Sequence, residues 1–177
     1  MNNSLLFTTF ASQIFGELYE NFPIPVVLPK KDIIEAVECH DEFWKLGREV
    51  STVTGLIEIF DAAGHLTPEL RVKAERKQRN LTTQRDELAQ RLHRVEAVFN
   101  GTVDFLLQEE FIRSADKANY QLTLKGFTHL NKRFLQVGIT DGPSLIEKIH
   151  ESLRPENFSG AVIAGTFSNL IPKVFGG

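Results

Sequence analysis

Between Glu96 and Phe134 the apolar periodicity of the chain changes twice, and this change restricts the fold more than any other feature. Val95, Val98, Phe99, Val103, Leu106 and Leu107 recur three and four residues apart, which predicts a helix with one apolar face. Phe111-Ile112-Arg113-Ser114 then alternates apolar and polar, as a strand does. Ser114 to Asn119 is polar and able to turn the chain. Tyr120-Gln121-Leu122-Thr123 alternates again, so the two short strands can pair as a hairpin. Thr123 is placed to cap a following helix whose inner face carries Phe127, Leu130 and Phe134.

The run Leu106-Leu107-Gln108-Glu109-Glu110-Phe111-Ile112, followed by Tyr120-Gln121-Leu122-Thr123-Leu124-Lys125-Gly126, resembles winged helix-turn-helix proteins. In those families the recognition helix ends in an acidic, apolar sequence and enters the wing. The return strand there ends in a Leu-Thr-x-Lys-Gly turn. The usual Gly near the end of the recognition helix is absent, and Glu110 stands at that point. The resemblance implies a mainly α fold with a small β-hairpin. It implies a winged-helix domain over 1–157 with a long helical insertion at about 41–94, while the apolar, nearly uncharged stretch 158–177 reads by its composition as a C-terminal docking tail. It does not choose among DNA binding, protein binding and scaffolding.

The rest of the chain fits this frame. Ser4 to Glu20 carries the stripe Leu6, Phe7, Phe10, Ile14 and Leu18, with Ser4 as its cap; Asn21, Pro23 and Pro25 stop it. Pro23 to Pro29 is extended and suits a small first strand able to pair with the wing. A helix is expected from Lys31 or Asp32 to about Leu46, with Ile33, Ile34, Val37, Phe43 and Trp44 in the core and Gly47 interrupting it. Val50 to Ala63 is a further apolar helix ending near Gly64. Thr67-Pro68-Glu69 opens another, with Thr as N-cap and Pro at the first helical position. It runs charged to about Val95 with a narrow seam at Leu81, Leu88 and Leu92, which suits a partner helix. Ser144 to Leu153 predicts a short amphipathic helix.

Composition narrows the function. The net charge of −3 draws the chain neither to DNA nor to an anionic membrane. Fourteen Phe against one Trp and two Tyr favour packing over base stacking. One cysteine, Cys39, excludes an internal disulfide and fits a reducing compartment. No apolar run reaches membrane-spanning length, and the start lacks the basic region of a signal peptide, so a cytoplasmic protein is expected.

No nucleophile elbow, phosphate loop or dinucleotide fingerprint occurs. Cys39 and His40 lie among Glu35, Glu38, Asp41 and Glu42, but without metal-ligand spacing. The reading is therefore non-enzymatic, with no cofactor and no metal. Association, as a homo-oligomer or with a protein partner, is expected through Leu81, Leu88 and Leu92 and through the tail residues Phe167, Leu170, Ile171 and Phe175. The alternative is a transcription regulator that binds duplex DNA as a dimer. Asn100, Asp104 and Gln108 would enter the groove, while Arg113, Lys117 and the Arg71, Arg76, Lys77 and Arg79 face would meet phosphates. Basic residues from Arg71 to Arg94 are otherwise balanced by Glu69, Glu75, Asp86, Glu87 and Glu96. Thr102 and Phe105 on the same helix would suit a protein surface.

Overall fold

The computed structural model describes residues 2–38, 40–131 and 143–154. They form six helices and a three-stranded antiparallel sheet: α1 (Asn3–Glu20), β1 (Val26–Val27), α2 (Lys30–Glu35), α3 (His40–Ala62), α4 (Pro68–Gln108), β2 (Ile112–Ser114), β3 (Asn119–Leu122), α5 (Leu124–Leu130) and α6 (Leu145–Leu153). The chain divides into two compact units, Met1–Ile33 with Ala97–Gly177, and Ile34–Glu96. Phe134 and the tail residues Phe167, Leu170, Ile171 and Phe175 lie outside the described residues.

In the first unit, α1 is buried on most sides, with Phe10 and Ile14 wholly covered. Its cap is Asn2, whose Oδ1 accepts from the Leu5 N–H at 2.8 Å. Ser4, the expected cap, lies instead inside the first turn, because Asn2 already meets the free N–H groups there. Aromatic rings pack along α1 edge to face: Phe7 on Phe105, Phe10 on Phe99 and Phe15 on Phe111. Each such pair contributes about 0.5–1.5 kcal/mol beyond its buried area. Further along, Tyr19 stacks on Phe127 with centroids 5.3 Å apart, and Phe22 also stacks on Phe127, at 4.4 Å.

The sheet order is β1-β3-β2. Ile112 pairs with Leu122 and Ser114 with Tyr120, while Val26 pairs with Tyr120 from the other side. The extended segment near Pro25 therefore joins the hairpin as expected. Ile112 and Leu122 face the core, both about 1% exposed. The helix expected at the C-terminal side is present as α6, where Ser144 and Glu147 form a reciprocal capping box. Leu145, Ile146 and Ile149 are buried, and Leu153 reaches the α1 backbone at Gly16.

The hairpin is locked to the end of α4 by local geometry. Glu110 adopts φ 59°, the left-handed conformation that the missing Gly would take without strain. Its N–H donates to the Leu107 carbonyl and the Phe111 N–H to the Leu106 carbonyl, both at 3.0 Å, which closes the helix. Thr123 caps α5 through the Gly126 N–H and donates its hydroxyl to the Glu110 carbonyl at 2.6 Å. Lys125 Nζ reaches the Glu109 carbonyl at 2.5 Å. Gly126 lies so close that a Cβ there would run into the Phe111 carbonyl.

The second unit is a helical hairpin. Where one helix is expected up to about Leu46 and another from Val50, the chain instead breaks after Glu35, and α3 runs unbroken from His40 through Gly47 and Gly55. Turn bonds from Val37 and Glu38 to the Ile34 carbonyl make that break. Gly costs a helix only about 1 kcal/mol, and pairing with α4 outweighs it. Asp61 pairs with Arg71, Thr54 accepts from Gln78 Nε2 at 2.7 Å, and Glu38 lies 3.8 Å from Arg91. These contacts set an antiparallel register. Gly64, at φ 67°, closes α3 as expected, and Thr67 caps α4. Trp44 is not core: it is exposed, with Phe43 edge-on beside it. The helices expected before and after Val95 are one, since α4 continues to Gln108.

Two substitutions test the lock. Gly126→Ala is expected to lower stability by about 2–3 kcal/mol, because the methyl group has only backbone to displace. Glu110→Gly is expected to raise it by about 0.5–1 kcal/mol, by relieving the left-handed strain. Urea unfolding midpoints measure both.

Candidate functional site

The last turns of α4 present one outward row. Asn100, Asp104 and Gln108 are exposed and four residues apart, so they line one side of the helix. Thr102 does not belong to that surface. It is fully buried, and its hydroxyl donates to the Val98 carbonyl at 2.8 Å. Its spacing places it beside Val103 and Phe99, and its own backbone satisfies its polarity. Phe105 is half-buried, held edge-on by Phe7 at 5.3 Å.

On the hairpin, Arg113 and Lys117 are exposed. Arg113 is held in place, because its guanidinium donates to Gln121 Oε1 at 3.0 and 3.3 Å. Gln121 is itself buried, and its amide donates to the Pro23 carbonyl. Lys117 sits in the turn that Asp116 organises. The Asp116 carboxylate accepts from the N–H groups of Ala118 and Asn119, both at 2.9 Å, and from Asn119 Nδ2 at 2.6 Å. These bonds, that from Ala118 foremost, hold its pKa below the ordinary aspartate value.

The remaining basic candidates belong to the helical hairpin. Arg71 is engaged by Asp61, whereas Arg76, Lys77 and Arg79 are exposed. The expected association seam is largely covered within the chain: Leu81 and Leu88 are buried and Leu92 is half-buried. Among the described residues the exposed large apolar side chains lie elsewhere, at Trp44, Leu56, Ile59 and Phe60 on α3, at Leu70 and Val72 on α4, and at Ile24, Val27 and Leu124. The sequence held a signal for those on α3. Val50, Val53, Leu56, Ile57, Ile59 and Phe60 cover more of the helix circumference than one neighbouring helix can bury.

Among the described residues, no group of three or more His, Cys, Asp and Glu side chains gathers to hold a metal ion. His40 Nδ1 lies 3.8 Å from Glu35. No described helix is long and apolar enough to cross a membrane. Compared with protein-family models, with curated proteins and with solved structures, the chain matches none.

The Asp116 turn carries a pH dependence of known sign. A carboxylate with a depressed folded-state pKa contributes stability above its unfolded pKa and loses it as pH falls through the folded value. The Ala118 and Asn119 amide resonances are therefore expected to shift with a midpoint below that of a free aspartate, and to lose this transition in Asp116→Asn. A midpoint at or above the free-aspartate value contradicts this.

Proposed function

We propose that this chain is a non-enzymatic winged-helix protein of the cytoplasm that acts by association, with itself or with a protein partner, in a regulatory or scaffolding role. Support for the winged-helix reading comes from the order of elements. A helix, a short strand and two helices, α2 and α3, precede α4, and the β2–β3 hairpin that follows it returns beside β1. Support comes also from Glu110, which takes the left-handed turn at the position where the resembled families carry Gly.

The observation that carries the association reading is the outward row at the end of α4. Asn100, Asp104 and Gln108 include an acid and no cation, and the exposed Glu109 adjoins them. A helix meant for a polyanion gains its affinity from Lys and Arg at phosphates, and carboxylates at that place oppose it. A second reading rests on the exposure of Asn100, Gln108, Arg113 and Lys117, which are side chains able to contact bases and phosphates in duplex DNA.

Light scattering and titration with random duplex DNA separate the two. Association with itself predicts a solution mass above the 20.0 kDa of one chain and no DNA binding at low salt. The regulator reading predicts DNA affinity that falls steeply as salt rises.

A further inference from the structure

Two stripes run side by side along the exposed face of α4. Leu70, Lys73 and Lys77 form one, and Val72, Arg76 and Arg79 the other, each at three- and four-residue spacing. Both open on an apolar side chain in water, Leu70 at 53% exposure and Val72 at 63%. Both then carry two exposed cations. Asn80 and Thr83, the next exposed residues, are uncharged, and beyond them Asp86 and Glu87 are exposed acids. Arg71, at the same end of the hairpin, is taken up by Asp61. Among the described residues no acid pairs with Lys73, Arg76 or Lys77, and Arg79 gives only its Nε to the Glu75 carbonyl, at 3.4 Å. Glu75 is half-buried and lies off both stripes. Glu58 of α3 stands at this level of the hairpin, by the register of Thr54 with Gln78 and Asp61 with Arg71, and is ion-paired with none of the four.

Four cations therefore lie within about 9 Å of helix, unneutralised by the chain itself. Like charges at these spacings repel, and an anionic partner relieves the repulsion. The pattern selects among anions. The cationic stretch is bounded by Glu69 on one side and by Asp86 and Glu87 on the other, and the chain carries a net charge of −3, which opposes a long polyanion at a distance. A phosphate backbone leaves Leu70 and Val72 uncovered. An anionic bilayer takes apolar side chains, but meets the bounding acids in the same plane. A short protein segment satisfies both parts of the face, with an apolar side chain for Leu70 and Val72 and carboxylates for the cations. Exposed ion pairs contribute little singly, so the apolar end fixes the register while the charges choose the partner.

We infer that the Leu70–Arg79 face of α4 binds an acidic segment of a protein partner, with an apolar residue of that segment over Leu70 and Val72 and its carboxylates over Lys73, Arg76, Lys77 and Arg79. This rests on the association reading above and gives the partner's chemistry. The probe is a fluorescent helical peptide of about 15 residues, about 22 Å long, with glutamates along one side and a leucine at one end. The full-length chain is expected to bind it at low salt and to lose affinity as salt rises. Arg76→Glu/Lys77→Glu is expected to raise the dissociation constant by about tenfold or more with the circular dichroism unchanged, and to gain binding to the same peptide with lysines for glutamates. Val72→Ser is expected to weaken binding by about threefold at every salt concentration, and in that variant changing the peptide's leucine to alanine costs nothing further. No peptide binding at low salt, equal binding by the double variant, or a leucine effect undiminished in Val72→Ser overturns this surface. So does tighter binding of random duplex DNA or of phosphatidylserine vesicles than of the peptide. Light scattering judges the association reading separately, because a mass above 20.0 kDa that persists in Arg76→Glu/Lys77→Glu leaves association standing on another face.

Discussion

The first unit depends on a helix that can be surrounded. α1 carries Thr8, Thr9 and Ser12 at positions with 4%, 1% and 0% exposure, where a bare hydroxyl would cost about 1–3 kcal/mol. Each hydroxyl avoids that cost by donating to a carbonyl of the preceding turn: Thr8 and Thr9 to Leu5 at 2.9 Å, and Ser12 to Thr8 at 2.6 Å. With these three hydroxyls satisfied internally, α1 can be covered by neighbours on several sides. The rings of Phe7, Phe10, Phe15 and Tyr19 then receive α4, the hairpin and α5 in sequence, and the small Gly16 admits Leu153 of α6. Small hydroxylated residues thus serve close packing here, although in isolation they weaken a helix.

The second constraint is backbone contact between the end of α4 and the start of α5. Glu109, Glu110 and Phe111 are carbonyls at a helix end, and helix ends leave such groups unpaired. Lys125 and Thr123 supply donors to them, and Gly126 lets α5 approach without a side chain in the way. The Leu-Thr-x-Lys-Gly sequence therefore has a local physical account that holds whatever the module binds. The hairpin's position relative to the α4 row follows from these bonds, so Arg113 and Lys117 are presented by a fixed ribbon.

Legibility in the sequence followed the range of the interaction. The hairpin, the Thr123 and Thr67 caps, the Gly64 stop and the Ser144 helix all rest on residues within a few positions of one another, and each could be read directly. Spacing alone does not decide between Ser4 and Asn2 as the cap of α1, because either side chain can cap, and the structure uses Asn2. Gly47 does not break α3, since antiparallel pairing with α4 lies far along the chain and overrides a local penalty. Thr102 reads as surface by its polar type, but its spacing from Phe99 and Val103 turns it inward with them, and it is fully buried. For the candidate site, the exposed row Asn100, Asp104 and Gln108 is legible from helical periodicity, whereas the exposed face of α3 shows only in the width of its apolar arc, since each apolar residue taken singly reads as core.

The two units differ in how completely they use their apolar residues, and that difference bears on what each does. Around α1 the large apolar side chains are mostly covered, with Ile24, Val27 and Leu124 exposed at the margins of that unit, and the buried Gln121 is bonded to Arg113 and Pro23. In the hairpin of α3 and α4, apolar side chains stand in water, and both helices carry charges of both signs, with an excess of acids on α3 and of bases on α4. Charge distributed in this way contributes little to the stability of a single hairpin, because exposed pairs such as Asp61 with Arg71 are worth about 1 kcal/mol or less. Its larger effect is on which partner fits and in what register, since like charges brought together across an interface cost more than correct pairs return. At the end of α4 the row Asn100, Asp104 and Gln108 holds an acid and no cation, and a carboxylate there opposes the approach of a phosphate backbone.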